Sequence, residues 1–182
     1  MVAPSIVQST NSTNVGPGAS LTGVVAGNVL VLGIFAQRYF SNTPAFSSVS
    51  GGGATWTKVL DSVITGNEWG MSVFVGTGGT GGSITATASG TWDEVEVALL
   101  EIADADESDP VDESAQQAQA STSAPESGAT ATLSTDEGLA LGFCSVFSNF
   151  ANPTPHGSDG FTTEIDHSIQ YDWRDYIVAY KA

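Results

Sequence analysis

Glu94-Val95-Glu96-Val97-Ala98-Leu99-Leu100-Glu101-Ile102-Ala103 opens with acids and valines in alternation and closes almost wholly apolar. Alternation with a period of two marks a strand with one wet face, and a continuous apolar run marks a strand covered on both faces. The stretch therefore reads as a strand that starts at a solvent-facing edge and runs into the core, a central strand of its sheet. Outward from it, further runs of the same kind are bounded by Gly, Asn, Asp and Pro. They predict strands at residues 5–12, 19–25, 29–39, 56–64, 70–76, 84–89, 94–103, 129–134, 139–146, 161–169 and 173–180. Helical periodicity is nearly absent, and Gly occurs 21 times. Many short strands with Gly-rich turns predict an all-β fold, an antiparallel β-sandwich of the jelly-roll kind.

The chain also repeats itself. Leu30-Val31-Leu32-Gly33-Ile34 with Thr43-Pro44 matches Leu139-Ala140-Leu141-Gly142-Phe143 with Asn152-Pro153 at one constant spacing. Trp56-Thr57-Lys58-Val59-Leu60-Asp61 then matches Phe161-Thr162-Thr163-Glu164-Ile165-Asp166, and Trp69 with Ser72-Val73-Phe74 matches Trp173 with Tyr176-Ile177-Val178. Each half reads as strand, Pro-containing loop, aromatic-led strand and closing strand. Three or four strands cannot bury a face alone, so two related halves are expected to share one sandwich over residues 21–182. Residues 1–20 are expected to be an N-terminal arm or an edge strand. Near 113–130 the composition is too poor in apolar residues to order a core element, which predicts a long surface loop.

The formal charge of −16, from 4 basic and 20 acidic residues, repels phosphate backbones and anionic lipid, so neither nucleic acid nor a membrane is expected as a partner. The longest apolar run, 24–36, is interrupted by Gly27, Asn28 and Gly33 and falls short of the roughly 20 residues a spanning helix needs. No export signal is read at the start, where residues 1–13 are mostly polar. Charge is unevenly spread: no acid precedes Asp61, and half of all the acids lie between Asp93 and Glu113. A nearly neutral N-terminal region is expected to dock on a larger partner as an extended arm, with the acidic middle facing outward.

Residues able to carry chemistry are few. His156 follows Pro153-Thr154-Pro155 in a loop, and His167 sits beside Asp166 in a strand, where neighbours point to opposite faces and form no oriented dyad. Cys144 lies in an apolar run and reads as an inert buried thiol. Gly51-Gly52-Gly53 and Gly76 to Gly82 lack the lysine and following helix of a phosphate loop. Asp104, Asp106, Glu107, Asp109, Asp112 and Glu113 form the densest oxygen cluster, but they depart from calcium-loop order and read as a solvated turn. Trp56, Trp69, Trp92 and Trp173 are the candidates for stacking on a sugar; Trp56 and Trp173 read more simply as core, while Trp92, between Thr91 and Asp93, is expected to be exposed. The chain is thus expected not to be an enzyme, with no catalytic, cofactor-binding or metal-ligating residue assigned.

The segment from Val97 to Asp112, a strand closing in an acidic turn followed by Pro110-Val111-Asp112, resembles a segment of β-sandwich modules in phage virion and bacterial surface proteins. Ala26-Gly27-Asn28-Val29-Leu30-Val31 and Glu137-Gly138-Leu139-Ala140-Leu141-Gly142 resemble the strand entries of that pattern. Two features depart from it: no aromatic stands at Glu101-Ile102, and Gly53-Ala54-Thr55-Trp56 replaces a Pro-x-Gly-Trp turn. The resemblance implies a phage capsid decoration, or cement, protein on the virion exterior, a homo-oligomer whose partner is the major capsid protein or another virion protein. The alternative it leaves is a carbohydrate- or receptor-binding module of a tail or cell surface.

Overall fold

The computed structural model describes residues 3–13, 17–38, 43–63, 69–116, 138–147, 162–168 and 174–181. Every regular element among them is a strand: β1 Ser5–Thr13, β2 Gly18–Val24, β3 Val29–Gln37, β4 Ala45–Ser50, β5 Thr55–Val63, β6 Trp69–Thr77, β7 Gly82–Thr91, β8 Glu94–Ala103, β9 Ala140–Phe147, β10 Thr162–Ser168 and β11 Arg174–Lys181. All pairings are antiparallel, in sheets ordered β1-β8-β3-β6-β5, β2-β7-β4 and β10-β11-β9. The protein is an all-β sandwich.

The five-stranded sheet is the middle of the molecule because its two inner strands are apolar on both faces. Leu30, Leu32 and Ile34 of β3 and Val95, Val97 and Leu99 of β8 look to one side; Val31 and Phe35 of β3 and Ala98, Leu100 and Ile102 of β8 look to the other. The wet edge expected at the start of β8 is absent: β1 and β3 flank β8 on both sides, and Glu96 is only 4% exposed.

The first face is covered by the β2-β7-β4 sheet, whose central strand β7 alternates regularly. Ala19, Leu21, Phe46, Val49, Ile84, Ala86 and Ala88 point inward, while Ser and Thr point out. No Asp, Glu, Lys or Arg occurs in any of these three strands. β4 lies outside the expected strands because its two inward residues, Phe46 and Val49, are three apart. A bulge between Phe46 and Ser48 absorbs the extra residue and breaks the period of two that sequence reading relies on.

β1 pairs with β8, β2 with β7 and β3 with β6, so the first eight strands form one long antiparallel ribbon rolled over two leaves, the jelly-roll wrap. β5 departs from the pattern by joining β6 rather than extending the β4 leaf. The crossing is made at Gly51-Gly52-Gly53, all at positive φ. A Cβ on Gly51 would lie 1.9 Å from the Thr85 carbonyl oxygen, so only glycine passes there. Trp56 then lies over Gly76 and donates from Nε1 to the Gly51 carbonyl at 3.0 Å, closing the turn.

Both leaves come from residues 5–103, and the second copy of the repeat adds the β9-β11-β10 sheet. Its order reproduces β3-β6-β5 strand for strand. Each copy carries a bulge at the matching place, between Lys58 and Leu60 in β5 and between Thr163 and Ile165 in β10. β9 lies across the second face, where Leu139, Leu141 and Phe143 pack against the second core. The Phe143 ring sits over Gly33, 2.7 Å from where a Cβ would be. The expected strand at 129–134 and most of the expected surface loop lie outside the described residues.

Candidate functional site

The N-terminal segment is an edge strand of the five-stranded sheet: Ser5–Thr13 pairs with β8 along its length on one side and leaves its other backbone edge outside the sheet. Its anchor is Glu101, 0% exposed at the rim of the space between the two leaves. The Glu101 carboxylate accepts from Gln8 Nε2 at 2.5 Å, Asn28 Nδ2 at 2.6 Å and the Val25 backbone N–H at 2.8 Å. Gln8 also donates to the Thr22 carbonyl at 3.1 Å. Burying a carboxylate is costly unless its lone pairs are met, and here neutral donors from β1 and the β2–β3 turn meet them. The group is a three-way tie between β1, β8 and that turn.

A second cluster joins Lys58, Asp61 and Ser72. Lys58 Nζ lies 2.9 Å from Asp61 Oδ2, donates to the Phe46 carbonyl at 2.7 Å and stands 5.7 Å from the centre of the Phe74 ring. The Ser72 hydroxyl donates to Asp61 Oδ1. These are the residue types of a nucleophile, acid and base, but Ser72 is 0% exposed and no substrate carbon can reach its oxygen. Beside them an open groove of about 360 Å³ is lined by Lys58, Val59, Leu60 and Asp61 on β5 and by Ser114 to Gln116. The Gln116 carboxamide accepts from Asp61 N at 2.7 Å and donates to Asp61 O at 3.1 Å, supplying the pair of bonds a neighbouring strand would give this sheet edge.

The acidic turn is held by its own short bonds. Asp106 accepts from the Ser108 hydroxyl at 2.6 Å and the Ser108 N–H at 2.8 Å, and these lower its pKa below the usual aspartate value, the hydroxyl most. Glu107 accepts from the Gly78 N–H at 3.0 Å in the β6–β7 turn, and Asp104 takes φ +60°. Ala105 and Val111 pack down on the second core, so the turn lies on the side of the central sheet opposite β2-β7-β4. Among the described residues no three His, Cys, Asp or Glu are grouped as a metal would need.

Trp92 corrects an expectation. It is partly buried against the first core and stacks with Phe46, ring centres 6.2 Å apart and planes at 20°, so it is no open platform for a sugar. Trp56 packs on the same core. Cys144 is half-buried in β9, and burial pushes its thiol pKa up, away from the reactive thiolate. His167 lies in β10 at the register position opposite Tyr176; His156 and Trp173 lie outside the described residues. The Glu101 tie and the Lys58–Asp61–Ser72 cluster were not singled out from sequence. The available signal was an acid inside an otherwise apolar run, Leu99-Leu100-Glu101-Ile102. Set beside known protein families, curated proteins and solved structures, the chain matches none of them.

Proposed function

We propose that this protein is a phage capsid decoration protein, a non-enzymatic jelly-roll module bound to the outside of the virion shell. The observation that carries the reading is the acidic turn after β8. It is fastened to the fold by Asp106–Ser108, Glu107–Gly78 and the packing of Ala105 and Val111, so it presents a permanent anionic surface. A fixed surface of that sign is repelled by packaged nucleic acid and kept soluble in water, which suits the exterior of a particle. The jelly roll fits such a role because its polar clusters tie strands together. The reading predicts that the protein is recovered with purified virions in a fixed ratio to the shell subunit, measured by quantitative mass spectrometry. Recovery at only a few copies per particle, or none, would overturn it.

A further inference from the structure

The molecule is strongly acidic, yet the three strands of the β2-β7-β4 sheet put no charged side chain on its outer face. β7 turns Thr85, Thr87 and Ser89 outward at every second position, with Ser20 of β2 opposite Thr85 and Ser50 and Ser48 of β4 opposite Thr87 and Ser89. The Ser20 and Thr85 hydroxyls already bond each other at 2.7 Å.

We infer that this face is a homotypic contact, and that two copies of the chain meet through it about a two-fold axis. Three features select a second copy as the occupant. Hydroxyls both donate and accept, so a sheet of them complements its own image, which a two-fold contact requires. Short Ser and Thr side chains lose little rotamer freedom when fixed, unlike the long charged ones elsewhere. The charges also fall well. Each acidic turn lies beyond the central sheet, and with sheets stacked roughly 10 Å apart the two turns of such a dimer stand at least about 30 Å from each other. That is several times the ~8 Å screening length at physiological salt, so the six acids of each turn oppose this contact less than a contact made through the acidic side. The proposal is independent of the decoration reading.

The test is sedimentation equilibrium of the full-length protein over a concentration series. A reversible dimer whose affinity changes less than threefold between low and physiological salt is expected. Thr85→Glu places a charge at the centre of the face and should weaken the dimer at least tenfold, while Asp109→Asn in the acidic turn should leave it within twofold. If Thr85→Glu melts without cooperativity, Ser48→Lys on the flanking strand makes the same test. As an independent check, Thr85→Cys in a Cys144→Ser background should form a disulfide-linked dimer under mild oxidation. A wild type that stays monomeric at every concentration, or a folded Thr85→Glu protein that dimerises as tightly as wild type, would overturn the inference.

Discussion

The two faces of the central sheet are covered in different ways. The first is roofed by a three-stranded sheet with apolar residues inward, Ser and Thr outward, and no charge in its strands. Among the described residues, the second is covered by Ala105 and Val111 of the acidic turn and by Leu139, Leu141 and Phe143 at the start of the repeat's second copy. The first roof belongs to the jelly-roll wrap and is fixed by eight strands closing on one another. The second is an addition to a jelly roll already closed. The difference implies that cohesion rests on the first core and that the second face can be altered with less consequence.

Leu99→Ala gives the largest expected effect. Leu99 is 0% exposed in the first core, and truncating such a leucine costs about 3–5 kcal/mol, which should appear as a lower denaturation midpoint with an unchanged slope. Leu141→Ala on the second roof removes the same atoms from a half-buried site and should cost about half as much or less. Equal losses would show that the two roofs contribute alike.

Glu101→Gln comes next. It puts an N–H where donors from Gln8, Asn28 and Val25 converge, leaving buried groups facing one another unpaired, with an expected cost of about 2–4 kcal/mol. Because the tie holds β1 to β8, amide exchange in residues 5–13 should speed up more than in β3. Uniform acceleration across the sheet would mean that Glu101 stabilises the fold as a whole rather than the edge strand.

Legibility from sequence follows the same division. The all-β class, most strand positions and the repeat could be read because alternation survives wherever one face is wet and becomes a continuous apolar run where both are dry. β4 could not be read, since its bulge sets Phe46 and Val49 out of period. Glu101 was passed over because strand pattern reports which residues are inside but not which donors converge from β1 and a turn more than seventy residues earlier in the chain. Trp92 was misplaced by its polar sequence neighbours, whereas its ring is set by Phe46, which is brought beside it only by the pairing of β4 with β7. The uneven spread of acids along the chain was visible. Its meaning as a neutral leaf on one side and an acidic turn on the other needed the topology.

Gly33→Ala tests the second roof directly. The new methyl would meet the Phe143 ring at 2.7 Å, tighter than real contacts allow, so either the ring shifts or β9 lifts, at about 1–3 kcal/mol. Phe143→Ala should cost a similar amount by loss of packing. In the double variant the two effects should be far from additive, since the methyl then enters space the ring has left. Additive losses in a double-mutant cycle would place β9 away from Gly33 in solution.

The smallest effect belongs to the acidic turn and is read by titration rather than by melting. Asp106 has a folded-state pKa below 3.8 because the Ser108 hydroxyl and N–H bond its charged form. A depressed carboxylate pKa contributes stability that is present above the unfolded value and lost as pH falls through the folded one, so this contribution should be constant at neutral pH and fade only below about pH 4. Ser108→Ala removes the stronger of the two bonds and leaves the backbone N–H. The Asp106 pKa, followed by carboxyl carbon NMR, should then rise part of the way towards 3.8 and not beyond it, because the group is fully exposed. The turn should keep its place, since Ala105, Val111 and the Glu107–Gly78 bond hold it independently. An Asp106 pKa indifferent to Ser108→Ala would mean that this pair does not bond in solution, and that the turn is held by Ala105, Val111 and the Glu107–Gly78 bond alone.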